Sequence, residues 1–322
     1  MDMIKFPTAN NVAETFGSLD DRLLFDVYSA PIEINGRQAL AAPSGQQRVV
    51  YREIDNLNNP YQNGPDYIAL GVVGDDYPVK SHRDYFPALL DVLHDTLPRE
   101  FVAGATVNTK VAHDGAFALL DVALPNSRVT IETRQGFRTD IAMRSIMWHG
   151  LAGTHSNNVL FGNIDFFCTN GMVIGDFTRV KRKNTKNFSL TRFAREVEIA
   201  TGAWYEQART LQIMANTVIT IEQGRQVIND ILGNTDPEDR KKQRDSKADK
   251  MFTLFVDEAQ TRGANVFALL SAFTNYSSHT DNGFALRDTG SDHGAVTMLN
   301  REVEVAQWIN NPAFTSLYRE AA

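Results

Sequence analysis

Apolar residues along this chain repeat first with a period near two and later with a period near 3.6. In residues 46–82 the segments "QQRVVYREI" and "YIALGVVGDDYPV" read as strands. Between them "DNLNNPYQNGPD" supplies Asn, Pro and Gly in turn-forming order. Phe86, Leu89, Leu90 and Leu93 then fall at helical spacing and predict a helix over 83–97. Strand character returns over 101–145, where "PNS" between "GAFALLDVAL" and "RVTIETRQGF" predicts a hairpin turn. A second hairpin is expected in "FFCTNGMVIG". Asn170-Gly171 suits a two-residue turn that needs positive φ at both positions. The alternative is a bulge there and a turn at Gly175-Asp176.

From Ser189, a suitable N-cap, the pattern becomes helical. Leu190, Phe193, Ala194, Val197, Thr201, Trp204, Ala208 and Leu211 follow at three- and four-residue steps. Further helices are expected over 220–232, in "MFTLFVDEAQ" and "NVFALLSAFTNYSSHT", and in "TMLNREVEVAQWI". Residues 233–250 read as a charged connection, with Pro237 marking a helix start, and "DNGFALRDTGSDHGA" as a polar loop. The expected fold class is α+β, a strand-rich N-terminal part with an antiparallel curved sheet packed against long C-terminal helices. The expected units are an N-terminal arm (1–45), a strand-rich core with a basic hairpin (46–188) and a helical region (189–322). The last two can form one continuous domain.

Composition narrows the class. In 322 residues, 43% are hydrophobic and 22% charged, ordinary values for a globular protein. One cysteine, Cys168, excludes intrachain disulfides and multi-thiolate zinc sites, and a reduced cytoplasmic setting is expected. No apolar run approaches the ~20 residues of a transmembrane helix, and the N-terminus lacks a signal-peptide pattern, so no membrane partner is expected.

Charge is distributed unevenly. Residues 1–126 hold 9 Lys+Arg against 17 Asp+Glu, whereas residues 127–322 hold 23 against 22. Within the second part, Phe177 to Arg195 carries seven cations in nineteen residues and no carboxylate. If residues 178–184 are extended, Arg179, Lys181 and Lys183 share one face, about 6.6–6.8 Å apart. That interval matches the phosphates of an extended single strand. Arg182, Lys186 and Arg192 add phosphate contacts, and Phe177 and Phe188 offer faces for base stacking. The competing reading is a solvated strand edge whose lysines block edge-to-edge pairing. Arg128, Arg134, Arg138 and Arg144 on the preceding strands could extend the same surface.

Enzymatic signatures are weak by comparison. Cys168 follows Phe166-Phe167 without a neighbouring base and reads as a buried structural thiol. His149, His155 and Asp165 match no familiar metal spacing. "SDH" at 291–293 cannot form a relay from adjacent residues. "GVVGDD" lacks the dinucleotide and P-loop spacings. No catalytic residue, metal ligand or cofactor is assigned.

Three segments carry a family resemblance: "VVYREID…YIALGVVGDDYPVKSHRDYF", "WHGLAGTHSNNVLFGNIDFFCTNGMV…RVKRKNTKNF" and "NVFALLSAFTNYSSHT". Across residues 48–280 the chain resembles phage/plasmid-like proteins grouped under a domain of unknown function. Asn184 stands where that family often has His. The resemblance implies a phage, prophage or plasmid gene and assigns no activity. Strands leading through a basic hairpin into a long helix are also similar to the core of phage single-strand annealing proteins. That analogy implies a basic groove and ring assembly.

The expected function is single-stranded DNA binding, in annealing or strand protection during phage replication or recombination, by a homo-oligomer in the host cytoplasm. One alternative is a non-enzymatic anti-defence or host-takeover protein docking a basic partner through its acidic N-terminal half, with Asp66, Asp75, Asp76 and Asp84. The other is a metal-dependent nuclease.

Overall fold

The structure, a computed structural model, describes residues 15–38, 40–41, 45–54, 66–75, 77–151, 153, 157–165, 170–172, 190–233, 238–278 and 294–319. A short 3-10 turn at Asp21–Leu23 precedes the strands β1 (Tyr28–Pro31), β2 (Glu33–Ile34), β3 (Arg37–Gln38), β4 (Leu40–Ala41), β5 (Gly45–Ile54) and β6 (Asp66–Gly74). Helices α1 (His82–Thr96) and α2 (Arg99–Val102) lead into β7 (Thr106–Ala112), β8 (Phe117–Glu132), β9 (Arg138–Gly150), β10 (Asn158–Asp165) and β11 (Asn170–Met172). Six helices complete the described chain: α3 (Leu190–Asn216), α4 (Ile221–Leu232), α5 (Glu238–Arg262), α6 (Val266–Ser278), α7 (Gly294–Ile309) and α8 (Pro312–Arg319). The α+β class, antiparallel strands first and helices mostly later, is the observed one.

The main sheet runs β11-β10-β9-β8-β7, antiparallel throughout. Alternation along its strands gives it two apolar faces, as a sheet between two layers requires. Leu120, Val122, Met143 and Met147 point into the large core with Leu89 of α1, Phe193 and Trp204 of α3 and Phe267 of α6. Leu119, Ile146, Trp148 and Leu160 point the other way, against Val303 of α7. The spacing read along α3 is the buried stripe: Phe193, Val197, Trp204, Ala208 and Leu211 all reach the core. A second sheet sets β5 between β6 and the pair β1 and β4, over a small core of Val50, Leu70, Val73, Ala116 and Leu151.

Three expectations are corrected. "PNS" does not turn the chain, because β8 continues from Phe117 to Glu132 and only shifts register between Leu124 and Val129. Ser127 fills the irregularity: its Oγ donates to Leu124 O (2.7 Å) and accepts from Met143 N (2.8 Å). The turn comes later, where Thr133 N donates to Phe137 O (2.9 Å). Asn170 and Gly171 are not the hairpin turn either. They are paired strand residues of β11, Asp165 opposite Asn170 and Ile164 opposite Gly171. The reversal falls at 166–169, outside the described residues, as does the alternative turn at Gly175-Asp176. Finally, most of the segment read as a charged connection, 233–250, is helical, while the helix start read at Pro237 holds: α5 begins at Glu238. Helix-favouring Lys, Arg, Gln and Glu outweigh the absence of an apolar stripe at its start.

Candidate functional site

In the sequence the basic run lies between β11, on the main sheet, and α3, which packs against it. On one side β11 forms the sheet's edge among the described residues. Its neighbour β10 ends in Asp165, which is fully buried and accepts a hydrogen bond from Thr139 Oγ1 (2.5 Å). Arg262 Nη1 meets the other Asp165 oxygen at 3.0 Å, and Arg262 Nε donates to Glu258 (2.7 Å). A buried charge needs a partner with good geometry. The end of α5 is thereby clamped to the end of β10.

On the other side α3 is pinned across the sheet. The Phe193 ring packs face to face with Phe161 of β10 at 6.3 Å. Trp204 Nε1 donates to Ser127 O (3.0 Å). Gln212 acts as a surrogate strand residue: its Nε2 donates to Glu132 O (2.7 Å) and its Oε1 accepts from Glu132 N (3.1 Å). β11 pairs with β10 and α3 packs on the same sheet, and residues 173–189 fall between them in the sequence.

Phe177, Arg179, Lys181, Arg182, Lys183, Lys186 and Phe188 lie outside the described residues, as do Ser189, Cys168, His155, Asp76 and the "SDH" triplet. Arg192 lies in the first turn of α3. Arg195 is the one cation of the run whose side chain is described, and it is exposed, away from the stripe through Phe193 and Val197.

Of the four arginines read on the preceding strands, Arg134 is exposed in the turn between β8 and β9, and the other three face carboxylates. Arg128 faces Asp140 (3.4 Å) and Arg138 faces Glu132 (2.9 Å). Arg144 is only 3% exposed. It lies on the α7 face of the sheet, where its Nε and Nη2 bind both oxygens of Asp121 (2.6 and 2.8 Å) and its Nη1 donates to Glu302 (3.1 Å). Burial works against the Arg144 charge, but the two carboxylates more than offset it and hold the guanidinium above its usual range. Burial pushes the Glu302 carboxyl up, with Arg144 opposing. Lys110 beside them is shifted down, chiefly by burial. This cluster ties α7 to the sheet and keeps the Arg144 guanidinium buried and paired.

Two features gave no signal in the sequence. His82 and His149, 67 residues apart, meet through their Nδ1 atoms at 2.9 Å. His82 is at the start of α1, after the N-cap Ser81, whose Oγ accepts from Asp84 N (3.1 Å) and donates to its carboxylate (2.7 Å). Asp84 thus supports the N-cap of α1, and Asp75 faces Arg48 (3.7 Å). The second feature is a row of tyrosines on β1, β5 and β6: Tyr28 contacts Tyr51, and Tyr51 contacts Tyr67. Tyr28 lies in the segment 1–45 that the sequence reads as an N-terminal arm.

Among the described residues no group of three or more His, Cys, Asp and Glu is placed to hold a metal ion. His149 and Asp165 sit at opposite ends of the β9–β10 ladder, eight register positions apart, or ~27 Å. Among the described residues no helix is long and apolar enough to cross a membrane.

A family model described as "Domain of unknown function (DUF932)" matches residues 69–303, well over half of the chain. No curated protein and no solved structure matches it.

Proposed function

The chain belongs to the DUF932 family, and from that premise we propose that it is a single-stranded DNA-binding protein. The observation that carries this reading is the run of seven cations without a carboxylate from Phe177 to Arg195, in a protein of net charge -7. Phosphate neutralisation by Lys and Arg dominates nucleic-acid affinity, and the local distribution of charge outweighs the sum. Support comes from the two anchored flanks, β11 and α3, and from exposed Arg195. In this reading Arg179, Lys181, Arg182, Lys183, Lys186 and Arg192 contact phosphates, while Phe177 and Phe188 stack on bases. Annealing or strand protection in phage replication or recombination is the proposed role. Ring-like homo-oligomers would let short grooves act in series and strengthen binding by multivalency.

Fluorescence anisotropy with labelled single- and double-stranded oligonucleotides over a range of salt tests this. Three to six phosphate contacts predict a log–log slope of roughly -2 to -4 for single strands. Lys181→Glu with Lys183→Glu is expected to abolish most of the binding. A flat salt response, or undiminished binding by that variant, overturns the reading. Light scattering on the same sample gives the assembly state.

A further inference from the structure

The outer face of the N-terminal sheet is apolar, and none of the described elements covers it. Strand alternation sends Val50, Leu70 and Val73 inward to the small core and Tyr28, Val49, Tyr51, Tyr67 and Val72 outward. Tyr67 is 62% exposed, Val72 50% and Tyr28 39%. Such cross-strand pairs stabilise a sheet, and a contiguous exposed apolar patch with a polar rim marks a contact surface.

The three rings form one continuous surface. Tyr28 and Tyr51 are directly opposite in register, and their rings stack at 5.7 Å with 28° between planes. Tyr67 stands edge-on to Tyr51 at 5.4 Å, with its plane turned by 86°. The arrangement therefore offers both a flat aromatic face and an upright wall beside it.

The charge around this row decides what it fits. Glu53 projects from the same face, opposite Tyr67, and is exposed. Among the described residues it has no cationic partner. Asp26 lies beside Tyr28 and is paired with Arg83. Carboxylates dominate the field there: Glu53 first, then Asp26, hold the Tyr28 hydroxyl above its usual range, with Arg83 opposing. Aromatic faces are themselves electronegative. A phosphate backbone is repelled by this combination, while a planar guanidinium is favoured because it can stack on a ring and pair with a carboxylate through its edge.

We propose that the face formed by Tyr28, Tyr51, Tyr67 and Glu53 is a docking surface for an arginine-bearing peptide segment of another protein. All three tyrosines precede residue 69, where the family match begins, so the surface lies outside the matched segment. The same chemistry already operates inside this fold. The Arg225 guanidinium lies 4.7 Å from the Phe252 ring centre, and that of Arg301 4.7 Å from Tyr276.

The test is fluorescence anisotropy on the full chain with a short labelled arginine-rich peptide, its lysine counterpart and a single-stranded oligonucleotide. The arginine peptide is expected to bind, and more tightly than the lysine peptide. Tyr67→Ala and Glu53→Lys are each expected to weaken it by about tenfold or more, as truncating a central anchor does. Both residues are exposed, so circular dichroism should show an unchanged fold. Oligonucleotide binding should not be weakened by either variant, which separates this surface from the basic run. Peptide binding unaffected by both variants overturns the proposal. So does loss of oligonucleotide binding in Tyr67→Ala, which would make the face a base-stacking surface. A dimer of the protein alone that dissociates on Tyr67→Ala would assign the face to a second copy and also overturn it.

Discussion

His82 and His149 share a hydrogen bond between their Nδ1 atoms, 2.9 Å apart, in a wholly buried setting. The rest of the geometry fixes the proton positions. His82 Nε2 faces Gly115 O at 2.7 Å, and a carbonyl can only accept, so Nε2 carries the hydrogen. A neutral His82 then accepts at Nδ1, and His149 Nδ1 donates. That leaves His149 Nε2 as a bare acceptor with no partner among the described residues, beside a Tyr85 ring stacked at 4.1 Å.

The pair makes the protein acid-sensitive. Burial pulls His82 down to about 4, with the Gly115 carbonyl opposing, and burial with His82 nearby pulls His149 well below its usual value. Between pH 4 and 6.5 the unfolded chain binds these protons and the folded chain does not. The stabilisation is complete above about pH 6.5 and is lost as pH falls toward 4, by up to ~1.4 kcal/mol per pH unit for each histidine. Urea unfolding at several pH values should show this slope, and a His82→Phe/His149→Phe variant should show a shallower one. Equal slopes would refute the assignment.

Arg144 should be among the least replaceable residues. Arg144→Met leaves the Asp121 and Glu302 carboxylates without their partner and should cost about 3–5 kcal/mol. Adding Glu302→Gln removes one stranded charge and should recover part of the loss. A single variant with wild-type thermal stability would show that the cluster does not hold α7 to the sheet.

Two helical glycines should respond oppositely to alanine. A Cβ at Gly224 would sit 2.2 Å from the buried Phe255 ring, so Gly224→Ala overpacks the α4–α5 contact and should cost about 1–3 kcal/mol. No described residue lies within 4 Å of a Cβ at Gly202, on the exposed side of α3. There Gly202→Ala should stabilise the protein by roughly 0.5–1 kcal/mol, the usual gain within a helix. Denaturant midpoints of the two variants give the comparison directly.

Ser127 should matter more than a strand serine ordinarily does. Its hydroxyl completes the β8 irregularity and its carbonyl receives the Trp204 indole. Ser127→Ala leaves Met143 N buried without an acceptor and should cost about 1–3 kcal/mol by urea unfolding.

The pattern of apolar residues was enough for the α+β class, for α1 and for the buried stripe of α3, because helix and strand periods act through neighbours in sequence. Composition and charge likewise located the basic run, since a local excess of cations needs no partner to be seen. Local turn preference misled at Pro125–Ser127 and at Asn170-Gly171, where ladder pairing to β9 and β10 overrides it. The tertiary structure alone decided the rest. His82 and His149 meet across 67 residues, Arg144 and Glu302 across 158, and Tyr28, Tyr51 and Tyr67 form a row only once three strands align. Such contacts depend on register and packing between distant segments, and one strand's sequence carries only its own alternation, not the identity of the strand beside it.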